Sequence, residues 1–144
     1  MKLSTTLGAL VLATTFAAGP ALADDEFKTK APKGAEVYFI SPTDGAEISG
    51  PVTIKFGLKG MGVAPAGVEK EKTGHHHVLI NQKLEDYGSS IPADETHRHF
   101  GGGQTQATLE LPKGTHTLQL VLGDHNHIPH SPPIESKTIT ITVK

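Results

Sequence analysis

The chain has 144 residues, no cysteine and a formal net charge of −2 with histidine neutral. That length suits one domain with a single hydrophobic core. The missing cysteines exclude disulfide staples, thiolate metal sites, thiol redox chemistry and Cys nucleophiles, and no basic block is present to hold nucleic acid.

At the N-terminus Lys2 supplies a positive charge, Leu3 to Ala18 is apolar, and Ala21-Leu22-Ala23 is a small-x-small cleavage site. Residues 1–23 are therefore expected to be a signal peptide, with Asp24 starting the mature protein. The apolar run is short for a span, and Asp24-Asp25-Glu26 follows it in place of a basic stop-transfer flank. No later run is long enough to cross a membrane. The expectation is an exported, periplasmic protein with no membrane span in its mature chain.

Residues 24–34 are polar, Lys-rich and broken by Pro32, and are expected to form a flexible lead-in. The segment 35–144 then reads as one all-β domain. Val37 to Ile40 is β-rich and stops at Ser41-Pro42-Thr43-Asp44-Gly45, a turn signal. Val52 to Leu58 alternates apolar and polar residues, so one face is buried. Lys59 to Gly74 reads as a long loop, with a helical turn expected at Val68 to Lys72.

Gly74-His75-His76-His77-Val78-Leu79-Ile80 runs three histidines into a strand, and residues 83–103 that follow look irregular. A loop that long in a compact domain is usually either functional or disordered. Gln104 to Leu111, Thr115 to Leu122 and Lys137 to Val143 are further alternating strands, and Asp124 to Pro133 is a His- and Pro-rich loop. About seven short strands separated by Gly/Pro turns indicate an immunoglobulin-like antiparallel β-sandwich. In its lettering, 37–40 is strand A, 52–58 B, 75–80 C, 104–111 E, 115–122 F and 137–143 G, with D somewhere in 83–100.

All nine histidines lie between His75 and His130. All but His116 gather as His75/His76/His77, His97/His99 and His125/His127/His130, each with a His-x-His pair. In extended backbone an i, i+2 pair puts both imidazoles on one face, roughly 6–7 Å apart at Cα, which suits one metal ion. The B–C, D–E and F–G loops of the sandwich share one end, so the three clusters are expected to meet at one pole. The candidate metal ligands are His75, His77, His97, His99, His125, His127 and His130, with His76 pointing elsewhere or adding a third nitrogen. Asp124, Asp94 or Glu95 would complete the site or orient a ligand. His116 lies at the opposite pole, where many such domains place a tyrosine that bonds back to the E–F corner, and is read as structural.

Neutral imidazole suits Cu(II), Zn(II) and Ni(II), and affinity order favours Cu(II) over Zn(II). No Ser-His-Asp pattern, His-Glu-x-x-His helix or phosphate loop is present, so no catalytic residue is nominated. Gly101-Gly102-Gly103 precedes a strand and reads as close-turning backbone beneath the histidines. Four blocks, Gly74 to Ile80, His99 to Thr105, Gly114 to Leu120 and Asp124 to Pro133, resemble an exported bacterial family catalogued as domain of unknown function 4399. The resemblance spans roughly 55–144 and implies an exported bacterial domain, without supplying an activity or a ligand set.

The resulting expectation is a periplasmic metal-binding module for buffering, sensing or delivery. Its partners would be the ion and a periplasmic or cell-envelope protein. A metal-dependent redox enzyme is one alternative. A cell-envelope interaction module with a histidine pH switch is the other.

Overall fold

The computed structural model describes residues 28–144. The expected signal peptide and the start of the lead-in lie outside the described residues. Among those described, nine strands form and no helix does: β1 (Glu36–Ser41), β2 (Glu47–Ile48), β3 (Val52–Lys59), β4 (Gly62–Val63), β5 (Thr73–Ile80), β6 (His97–Phe100), β7 (Gln106–Leu109), β8 (Gly114–Gly123) and β9 (Ile139–Val143).

They make two sheets. One has the order β1-β3-β7; the other runs β2-β9-β8-β5-β4, with β6 also paired to β5. Pairing is antiparallel except between β2 and β9 and between β4 and β5. The six segments read as strands all form strands, with each end within two residues of the one expected. Their inward residues make the core: Val37, Val52, Ile54, Phe56 and Leu109 from one sheet, and Val78, Ile80, Leu118, Leu120, Leu122, Ile139, Ile141 and Val143 from the other.

β5 is buried on both faces, and this positions the site. Its even residues, His76, Val78 and Ile80, are buried, and Val78 and Ile80 join the inter-sheet core. The opposite face carries His75, His77 and Leu79, and Leu79 packs with Val121, Leu84 and Ile91. The long 81–96 segment is thus a lid over the outside of the sheet. It is tied down where the Ile91 N–H donates to the His127 carbonyl at 2.8 Å.

Three expectations change. Strand D falls at 97–100, inside the expected range, but β6 pairs with the C strand β5 instead of with β7. His75, His77 and His99 consequently meet on the outer face of a sheet through strand pairing, and the ring of His127 reaches them from the loop after β8. Residues 68–70 take no regular structure and 71–72 form a turn, with Lys72 at φ 56°, while Gly62–Val63 pairs with the start of β5.

His116 takes the corner role. Its Nε2–H donates to the Pro112 carbonyl at 2.7 Å, and its Nδ1 accepts from Asn81 Nδ2 at 3.0 Å. Both ring nitrogens are used, so this imidazole is fixed in one tautomer.

Candidate metal centre

Strand alternation places His75 and His77 on the outer face of β5, and their Nε2 atoms lie 3.0 Å apart. Two nitrogens bound to one ion at 2.0–2.1 Å sit about 2.9 Å apart at a right angle and about 3.4 Å apart in a tetrahedron. The observed spacing falls at the start of that range. In the metal-free state one N–H must bridge the two rings, because a nitrogen pair this close needs one donor and one lone pair.

The third imidazole comes from pairing. His99 on β6 is the cross-strand partner of His77, so the two project on the same face. Ligand nitrogens of His75, His77 and His99 all lie within 4.8 Å of one another. Their rings are mutually close, with centroids 4.8 Å apart for His75 and His77, 5.0 Å for His75 and His99 and 5.1 Å for His77 and His99.

His75 and His77 are fully buried and His99 is half-buried. His75 Nδ1, His77 Nδ1 and His99 Nε2 are buried with no hydrogen-bond partner among the described residues. A buried polar atom left unpaired costs about 1–3 kcal/mol. Burial first, then the other imidazoles, lowers the pKa of His75 to about 4 and of His77 to about 2, and burial lowers that of His99. The cluster therefore presents neutral rings, the protonation state a metal requires.

Two glycines make the space. A Cβ on Gly101 would overlap the imidazole of His99, and one on Gly123 would sit 2.9 Å from His77 Nε2. Gly101 was read from the sequence as backbone turning closely under the histidines, and here the clearance is for a ring. Gly123 was missed; an isolated glycine ending an apolar strand just before Asp-His is the signal that marks it.

Residues 54–144 match the family described as Domain of unknown function (DUF4399). The chain belongs to that family. No curated protein matches the chain. A chain in the X-ray structure of the endo-beta-1,4-mannanase from Thermotoga petrophila is 17% identical, with a TM-score of 0.45. That match covers 76% of this chain and 20% of the mannanase chain, and it carries no argument about activity.

The DUF4399 domain separates its remaining histidines by role. His76 turns into the sandwich, its ring centroid 4.7 Å from that of Phe56, and is not one of the clustered ligands. His97 shares a face with His99, but its Nδ1 is 3.0 Å from Asp94 Oδ1, which also accepts the Thr96 and His97 N–H groups. Asp94 thus anchors the start of β6 and indirectly the position of His99. His125 contacts Asn126 Nδ2 through Nε2 and lines a separate depression with Glu69 and Glu71. His130 is buried behind β8, its Nδ1 3.4 Å from the Leu122 carbonyl. Of the seven candidate ligands, His75, His77 and His99 form the close group, and the ring of His127 lies against it.

Proposed function

We propose that this domain is a transition-metal-binding module of the bacterial cell envelope that buffers, senses or delivers a divalent ion, with Cu(II) preferred over Zn(II). One observation supports the reading above all others. Three neutral imidazoles from two paired strands bring one ring nitrogen each to within 4.8 Å of one another, two of them from the buried floor of a sheet. The Nε2 of His99 adds to this, because it is buried beside the close Nε2 pair of His75 and His77 and has no hydrogen-bond partner among the described residues.

The donor set argues for the class of ion. It contains nitrogen alone, with no carboxylate in the group and no cysteine in the chain, so hard cations such as Mg(II) and Ca(II) lack their oxygen ligands. Affinity order then favours Cu(II) among the ions imidazole accepts.

The test is titration of the chelator-stripped 24–144 chain with Cu(II), Zn(II) and Mg(II), beside the His75→Ala/His77→Ala double variant. The expected result is one tightly held Cu(II) per chain, weaker Zn(II), no Mg(II), and loss of the site in the double variant. Binding no tighter than that of an ordinary pair of surface histidines would overturn the reading. Turnover with a bound Cu(II) would move the module into the redox class.

A further inference from the structure

The three-imidazole group leaves one neighbouring histidine unexplained. The ring of His127 lies 4.9 Å from that of His75, 4.7 Å from that of His99 and 6.0 Å from that of His77, centroid to centroid. Its backbone is left-handed, at φ 67°. Residues other than glycine adopt that conformation at a cost, which persists only where the surroundings enforce it.

Here the surroundings do enforce it. Asp124 is buried, and its Oδ1 accepts the Asn126 and Ile128 N–H groups, each at 2.9 Å. The Asp124 carbonyl accepts the His127 N–H, and the Asp124 N–H donates to the Ile128 carbonyl, both at 2.9 Å. The turn from 124 to 128 is thereby closed on itself around one carboxylate. Gly123 lets it come close, since a Cβ there would also stand 3.3 Å from His127 Cα.

The other carboxylate oxygen reaches a distant part of the chain. Thr29 Oγ1 donates to Asp124 Oδ2 at 2.7 Å. The segment around Thr29 is laid alongside the same loop: the Ser131 N–H donates to the Thr29 carbonyl and the Ala31 N–H to the Ser131 carbonyl, at 2.9 and 2.8 Å. One buried carboxylate therefore joins the His127 turn to the first described stretch of the chain, 95 residues earlier.

We infer that His127 is the fourth ligand of the centre, and that Asp124 and Thr29 are positioning residues that hold it over the other three. The ion then sits in a four-imidazole, oxygen-free site whose closure depends on docking of the segment around Thr29. By reciprocity, metal binding tightens that segment onto the loop. This rests on the metal-binding reading above and adds to it the ligand count and the device that controls the fourth position.

The experiment uses Cu(II) and the 24–144 chain, with nitrogen coordination counted by X-ray absorption and electron paramagnetic resonance beside the affinity. His127→Gly removes the imidazole and relieves the left-handed backbone, so the turn is kept; His127→Asn repeats the test with a residue that also tolerates it. Thr29→Val removes only the donor to Asp124. The wild type is expected to show four imidazoles, and both His127 variants three, with affinity down about 10- to 100-fold. Thr29→Val is expected to keep four imidazoles and lose affinity by a smaller factor.

Equal affinity and equal nitrogen counts in wild type and both His127 variants would overturn the fourth ligand and leave the three-imidazole site standing. An unchanged affinity in Thr29→Val would overturn the coupling. Failure of the wild type to bind Cu(II) would instead sink the metal reading on which both depend.

Discussion

At the scale of single residues, His76 is the group whose position is hardest to justify by packing alone. It is fully buried in the core beside Phe56, and both its nitrogens lack a partner among the described residues. Burial lowers its pKa to about 4, below the 6.5 of a free imidazole. Replacing it with an apolar side chain of similar size removes the unpaired polar atoms. His76→Leu is therefore expected to stabilise the protein by about 1–3 kcal/mol, read by urea unfolding at pH 7. Metal affinity should not change, because this side chain faces away from the centre. The same depression sets the pH response of the metal-free protein. Above pH 6.5 neither the folded nor the unfolded state binds a proton at His75, His76 or His77. Between 6.5 and about 4 only the unfolded state does, so stability falls with pH across that window, and His77 extends the loss towards pH 2. Melting temperatures of chelator-treated protein at pH 7, 6 and 5 should decline, and less steeply in His76→Leu. A flat profile would mean that these rings are not buried neutral.

At the scale of elements, the centre depends on β5 and β6 lying edge to edge and on the backbone being bare at two places beside them. Gly101→Ala puts a methyl into the His99 ring and within 3.1 Å of the Ala66 Cβ, so the ring must swing away. Cu(II) affinity is expected to fall about 10- to 100-fold in isothermal titration, the range for disturbing a ligand's support, with the circular dichroism unchanged. Gly102→Ala is the control, since its Cβ would meet only the flexible end of Gln104, and it should bind like wild type. Equal losses in the two variants would point to a general loosening of the 101–103 turn. The strands that carry this arrangement were legible because alternation reports a half-buried face, as in Val52, Ile54 and Phe56. The shared face of His75 and His77 was legible for the same reason. The direction that face takes was not: Val78 and Leu79 are both apolar, so β5 had no polar side to mark solvent, and only the lid of Leu84 and Ile91 explains the second buried face. Strand β6 was hidden as well. His97-Arg98-His99-Phe100 is too polar to read as a strand, and its pairing to β5 is a tertiary fact. His127 could be named from its cluster, but its place over the rings comes from a turn built by Asp124 and a threonine almost a hundred residues away.

At the scale of the whole molecule, an ion at this centre would tie together β5, β6 and the loop after β8, and through them close the 81–96 lid and the segment around Thr29. A ligand that binds only the folded state stabilises it by about 2.7 kcal/mol at a hundred times its dissociation constant. Melting temperature should thus rise with Cu(II) and return on chelation. The rise should survive mild acid, and this separates the centre from adventitious surface histidines. A surface imidazole near its ordinary value of 6.5 must lose a proton to bind, so each one costs about tenfold in affinity per pH unit below that value. With His75 lowered to about 4 and His77 to about 2, the two buried rings present no proton to displace at pH 5.5. Melting curves with saturating Cu(II) at pH 7.0 and pH 5.5, against the same protein with chelator, are therefore expected to show a shift of similar size at both values. A shift present at pH 7.0 and gone by pH 5.5 would show that the ion is held by ordinary surface imidazoles, and that the buried cluster is structural.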